Sequence, residues 1–244
     1  MRSDKPLINV RIFAGKRYAL SLVYIVIMQA SVLALGYLIP YYAQVACGLD
    51  EFAAGRLLLP GCIIGAVLAP LGGRILDAFG ARRPITFGAF ANLRTMACFL
   101  AFGFSGNTLV LAAIYVLVPI SQGFSAANSI TNGLTYLPNE LKSDGNAANN
   151  TLQQLGGAAG TAIATSIVDA AQAALPASAF TGTSAGAHQA MTVLLAASVV
   201  ALACTLAVFA KRANREAHKQ VKHKRMPEIG AYYRVFSNAT RRSA

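Results

Sequence analysis

The chain has 244 residues, 55% hydrophobic and 12% charged, with a net charge of +12. A water-soluble domain averages roughly 25% charged residues, so this chain lacks the polar material to coat a soluble globule, and the bilayer is the solvent to reason with. The positive charge does not read as a nucleic-acid footprint, because ten of the 21 basic residues lie after Ala210 and most others flank apolar runs.

Residues 1–17 are polar and basic and read as a cytosolic linker-like segment. A transmembrane domain over 18–210 and a basic cytosolic tail over 211–244 follow. The first apolar run is too long for a signal-peptide core. Six apolar spans can be marked, at about 19–44, 53–76, 85–104, 109–137, 150–175 and 190–210. Each is long enough to cross a ~30 Å hydrocarbon core as a helix. Helices are required because lipid offers no partner to a free backbone group. The predicted fold is therefore all-α, with six transmembrane helices.

In the first span, Gln29, Leu33, Gly36 and Pro40 share a helical face, with Tyr37 and Tyr41 beside it. Gln29 can hydrogen-bond a ligand, and the tyrosines can stack on a flat or cationic one. Tyr41 and Tyr42 also fit an interfacial aromatic belt.

The second span delivers a charged turn. The stretch Leu57 to Arg83 reads LLLPGCIIGAVLAPLGGRILDAFGARR. Asp77 closes the span, Gly80 permits a tight turn, Arg82 and Arg83 follow, and Pro84 starts the next helix well. A carboxylate at a membrane edge can accept from a neighbouring helix N-terminus and pair with arginines. Simple topological anchoring by positive charge explains the same residues.

The third span carries Arg94 near its middle, with Asn92 and Thr95 close by. A central arginine costs ~2.5–3.5 kcal/mol on insertion scales, so Arg94 is either a structural interhelical contact or a functional one. In the fourth span Ser121, Ser125, Asn128, Asn132 and Thr135 fall on one face. Such a stripe faces either a wet cavity or another helix through hydrogen bonds.

The fifth span holds Gly156 and Gly160 at the spacing that lets helices approach closely. Gln154, Thr161, Thr165 and Asp169 make a stripe along it. Asp169 lies about 19 residues, or ~29 Å, along this helix. It reads as an interfacial carboxylate in preference to a proton carrier. Residues Pro176 to His188 are rich in Ala, Ser, Gly and Thr and read as a flexible outer loop. The sixth span is expected to continue into the basic tail, near anionic headgroups.

Orientation follows from the cations. With six crossings, nineteen basic residues fall on one side and Arg56 alone on the other, with Arg94 inside a span. Both termini are therefore expected in the cytosol. The cysteines, Cys47, Cys62, Cys98 and Cys204, form no CxxC pair and read as packing residues. No metal, cofactor or enzyme constellation is expected, because no histidine neighbours a Cys or carboxylate cluster and no P-loop, GxSxG or HExxH occurs.

The run Gly73-Arg74-Ile75-Leu76-Asp77-Ala78-Phe79-Gly80-Ala81-Arg82-Arg83 resembles the cytosolic loop signature of the major facilitator superfamily, matching at Gly73, Asp77, Gly80, Arg82 and Arg83. It departs at Ala78 and Ala81, where a basic residue is common. LLLPG before the span, and LPNELKSDGNAANNTLQQLGGAAGTAIATSI after the fourth, resemble the carboxyl half of a fourteen-helix drug:proton antiporter. The resemblance implies half of a three-plus-three repeat fold in an inner membrane. It implies proton-coupled efflux of small hydrophobic or cationic molecules and makes the first and fourth spans cavity-lining, with Gln29, Tyr37, Ser121, Ser125, Asn128 and Asn132 as candidates. It also implies a partner beyond the lipid bilayer, a missing amino-terminal half or a second copy, or else a truncated and inactive product. The competing reading is a non-transporting membrane interaction or regulatory module.

Overall fold

The computed structural model describes residues 10–176 and 178–240, with their side chains except those of Leu76, Asp77, Ala126, Ala127 and residues 211–240. Contacts divide the chain into two units, Met1–Leu206 and Ala207–Ala244. Within the second unit the described backbone is helical up to Thr240.

Every regular element among the described residues is helical. The chain runs α1 (Lys16–Val45), α2 (Glu51–Arg56), α3 (Leu59–Phe79), α4 (Arg82–Cys98), α5 (Thr108–Tyr115), α6 (Leu117–Leu134), α7 (Lys142–Ala174) and α8 (Ala179–Thr240). A π-helical turn, Phe99–Gly103, extends α4.

Two of the expected spans are interrupted, and proline gives the reason. A proline cannot donate to the carbonyl four residues before it. Pro60 therefore leaves Arg56 unpaired in the helical ladder, and α2 ends at Arg56. Pro119 does the same to Tyr115, where α5 ends. Side chains cap the first piece of each span, α2 and α5. Asp50 Oδ1 accepts from Ala53 N at 2.7 Å, and Asn107 Oδ1 accepts from Leu109 N at 3.0 Å.

Among the described residues, five segments are long and apolar enough to cross a membrane, namely Lys16–Val45, Glu51–Ile75, Arg82–Gly103, Thr108–Leu134 and Ala179–Ala210. The expected fifth span, α7, has the length but is diluted by Asn149, Asn150, Gln153 and Gln154. It nevertheless runs beside α1 from end to end. Tyr18 Oη donates to Gly145 O at 2.7 Å near one end, and Tyr41 Oη donates to Gln172 Oε1 at 3.2 Å near the other. At 1.5 Å per residue the α7 stretch between those contacts is ~40 Å, so α7 crosses the same depth as α1.

The principal seams join α1 to α7, α3 to α6 and α4 to α6. Exchanging the first three spans for the last three interchanges the α1–α7 and α3–α6 pairs, as a three-plus-three repeat requires. An apolar core fills the centre, where Leu35, Leu38 and Tyr42 of α1 meet Met96, Leu111 and Met191.

Two expectations need correction. The Pro176–His188 stretch is not a flexible loop, because α8 begins at Ala179. Its small residues serve packing. A Cβ on Gly186 would lie 2.7 Å from Val168 Cα, and one on Gly182 would lie 3.0 Å from Gln172 Cα. Tyr42 is not an interfacial belt residue either. It is 1% exposed, and its hydroxyl accepts from Gly106 N at 3.0 Å and from Ser184 Oγ at 3.3 Å.

Candidate functional site

The α1–α7 seam is tight because α7 presents glycine where α1 presents its backbone. A Cβ on Gly160 would lie 2.5 Å from Ala30 O, and one on Gly156 would lie 2.6 Å from Val26 Cγ1. This puts Gly156 and Gly160 inside the seam. An apolar cavity of about 180 Å³ opens between α1, α7 and α8, walled by Val26, Ala30, Gly160, Ile163, Val193 and Ala197.

One flank of the seam is polar and aromatic. Gln29 and Tyr37 are half-buried on α1, and Gln29 Cγ lies 3.4 Å from where a Cβ on Gly157 would stand. The Tyr37 and Tyr41 rings stack with centroids 5.3 Å apart at 20°. The Tyr37 hydroxyl lies beside Thr165 and within electrostatic reach of Asp169. Gln172 accepts from Tyr41 and donates through Nε2 to Thr183 Oγ1 at 2.8 Å. Asp169 is exposed and forms no ion pair with a described residue. This flank can therefore present hydrogen-bonding groups, two ring faces and one negative charge.

The serine and asparagine stripe of α6 lies elsewhere, with Ser121 and Ser125 against α4, Asn128 against α3 and Ser125 also beside Tyr24 of α1. Ser121 and Ser125 are fully buried, while Asn128 and Asn132 are 2% and 7% exposed. Ser125 Oγ donates to Ser121 O at 2.6 Å, and Asn128 Nδ2 donates to Phe124 O at 2.9 Å and to Gly72 O at 3.3 Å. A Cβ on Gly88 of α4 would meet Ser125 and would lie 2.8 Å from Ser121 O. Asn132 Nδ2 donates to Tyr136 Oη at 3.2 Å. The structure thus brings Gln29 and Tyr37 to one side and groups Ser121, Ser125 and Asn128 in a different seam.

In the charged turn, Gly80 adopts φ +70°, a left-handed conformation that glycine tolerates best. A Cβ on Gly73 would meet nothing within 4 Å. Arg82 and Arg83 are exposed in the first turn of α4. Cations at a helix N-terminus oppose its dipole, so their placement serves the turn and not the helix. The Asp77 side chain lies outside the described residues. Arg94 is exposed on α4, and its neighbour Asn92 points elsewhere, donating to Ser198 Oγ at 3.0 Å.

The tyrosine stack was partly legible as spacing in α1. Its acidic neighbour was visible only as a stripe on α7, because nothing in a sequence pairs two helices 130 residues apart. Among the described residues, no group of three His, Cys, Asp or Glu side chains is placed to hold a metal ion.

Comparison with known proteins narrows the reading. The family model described as Major Facilitator Superfamily matches residues 2–161. The lincomycin resistance protein LmrB of Listeria monocytogenes is 35% identical over 175 residues, covering 70% of this chain and 36% of that protein. LmrB of Bacillus subtilis is 32% identical over 168 residues, covering 69% of this chain and 35% of that protein. The putative multidrug resistance protein MdtD of Yersinia enterocolitica is 25% identical over 153 residues, covering 63% and 33% respectively. The chain spans about a third of the length of these relatives.

Proposed function

The chain belongs to the major facilitator superfamily, and from that premise we propose that it supplies one half of a proton-coupled efflux transporter for hydrophobic or cationic small molecules. The observation that carries this reading is the 35% identity to a lincomycin resistance protein across 70% of the chain. The lipid-bilayer setting follows from the apolar helices. The proposed location is a cell (inner) membrane, with both termini cytosolic as the basic residues direct.

A six-span half cannot enclose a cavity from both sides. The partner in this reading is an amino-terminal half or a second copy of the chain. Exposed faces support that need: on α3, Leu59, Ile63, Val67 and Leu71 are all exposed, as are Leu155 and Ile163 on α7. Within such an assembly Gln29 and Tyr37 are proposed to line the cavity, and Ser121, Ser125, Asn128 and Asn132 to hold α6 against its neighbours beside it. The Gly73 to Arg83 turn is proposed to anchor the cytosolic side.

The test is drug susceptibility of cells expressing the chain alone and together with an amino-terminal half, with lincomycin and a lipophilic cation as probes. Raised resistance in either arrangement, abolished by a protonophore in a dye-efflux assay, is the expected result. Unchanged susceptibility in both would overturn the transporter reading, and efflux that survives the protonophore would overturn the coupling.

A further inference from the structure

The turn before α1 is seated on the helices by one side chain and directs the others outward. Val10–Ala14 is a short 3-10 helix whose Ile12 is fully buried. Ile12 shares an apolar cluster with Tyr18 and Leu22 of α1, Ala148 of α7 and Leu137 of the connection between α6 and α7. The same connection supplies the Tyr136 ring, over which the Arg17 guanidinium lies 5.5 Å from the centroid. We propose that this turn is an interfacial anchor, and that its exposed face takes anionic phospholipid on the side of the basic loops. Such an anchor needs the membrane setting only and holds whether or not the chain transports.

With about three residues per turn, Val10 and Phe13 share a face that Ile12 does not. They are 73% and 42% exposed. Depth decides what meets them. α1 has 30 residues and is therefore ~45 Å long, which matches the ~40–45 Å of a bilayer counted with its headgroups. The turn at its start thus lies at headgroup level, where an apolar face enters the boundary with the acyl chains.

Charge then selects the lipid. Arg11 and Lys16 flank the apolar face in sequence, and both are exposed. Among the described side chains of this turn and of the segments it meets, Arg11, Lys16, Arg17 and Lys142 outnumber Glu140 and Asp144. An apolar face rimmed by net positive charge complements a molecule that carries acyl chains below a negative headgroup. A zwitterionic lipid satisfies Val10 and Phe13 but offers the cations no net charge.

The chain has no tryptophan, so Phe13→Trp installs a single emitter on this face. The full-length variant is placed in nanodiscs of equal parts phosphatidylcholine and phosphatidylglycerol, with bromine on the acyl chains of one lipid or the other. Quenching is expected in both, and is expected to be stronger with brominated phosphatidylglycerol. Arg11→Gln together with Lys16→Gln is expected to remove that preference, at about fivefold in relative affinity per charge. Ile12→Ala is expected to lower quenching by both lipids, because the turn loses its seat. Val10→Trp repeats the measurement from the same face, and a thermal melt shows that each variant is folded. Emission that neither lipid quenches means that protein covers the face, whether a second copy or a further segment, and overturns the anchor. Equal quenching by the two lipids overturns the choice of an anionic one. A preference that survives loss of both charges places the selectivity elsewhere and overturns its assignment to this face.

Discussion

The backbone N–H of Gly106 donates to the hydroxyl of Tyr42 across 64 positions of sequence, at 3.0 Å. Gly106 sits at φ +87°, and the same hydroxyl accepts from Ser184 Oγ at 3.3 Å. The Tyr42 ring meets Phe104 edge-on, with centroids 5.0 Å apart. One side chain therefore ties the end of α1 to the α4–α5 turn and to the start of α8. Tyr42→Phe keeps the ring and loses both hydrogen bonds, so it is expected to cost about 1–2 kcal/mol. Tyr42→Ala also opens a cavity and is expected to cost about 3–5 kcal/mol. Thermal melts in detergent should rank wild type above Phe above Ala; equal midpoints for wild type and Phe would mean that the hydroxyl contributes nothing.

Glycines that look alike in sequence differ in their surroundings. Gly160 faces Ala30 O at 2.5 Å from a Cβ position, while Gly73 has nothing within 4 Å. Gly160→Val is expected to force α1 and α7 apart and to cost about 1–3 kcal/mol as overpacking. Gly73→Ala is expected to be neutral or slightly stabilising, since alanine favours the helix. Comparing unfolding midpoints of the two variants tests the assignment, and a larger loss at Gly73 would contradict it.

Which features could be read before the structure follows from the range of the interactions involved. The spans were legible because burial in lipid is a composition effect that acts on about 20 neighbouring residues at once. Pro60 and Pro119 were equally visible, and the breaks at Arg56 and Tyr115 follow from a missing N–H four residues on. The start of α8 was missed because Ala, Ser, Gly and Thr describe both a loop and a closely packed helix. Only the approach of Gly182 and Gly186 to α7 separates the two. Tyr42 was missed because its partners, Gly106 and Ser184, are distant in sequence. The same distance hid the approach of Tyr37 to Thr165, within electrostatic reach of Asp169.

Arg94 is exposed on α4 while its neighbours Asn92 and Thr95 are buried. The helix therefore turns its charge away from the core of this unit. Replacing a central arginine by leucine removes an insertion cost of about 2.5–3.5 kcal/mol. Arg94→Leu is accordingly expected to raise the inserted fraction of the third span in a glycosylation-reporter assay. An unchanged fraction would show that the guanidinium is already solvated at the membrane edge or by a neighbouring helix.

Cys47 follows the end of α1, and its thiol donates to Gly106 O at 3.8 Å. Burial pushes this thiol above its ordinary value, with the Tyr42 contact acting in the opposite direction. The thiolate is the reactive form. A raised pKa leaves less thiolate at neutral pH, so alkylation should be slow there and should accelerate as pH rises past the ordinary thiol range. In a variant with Cys62, Cys98 and Cys204 changed to alanine, a membrane-impermeant maleimide added to intact cells is expected to label Cys47, faster at higher pH. Labelling only after the cells are opened would place the end of α1 in the cytosol and reverse the proposed orientation. A rate already at its plateau near pH 7 would mean that burial does not hold the thiol protonated.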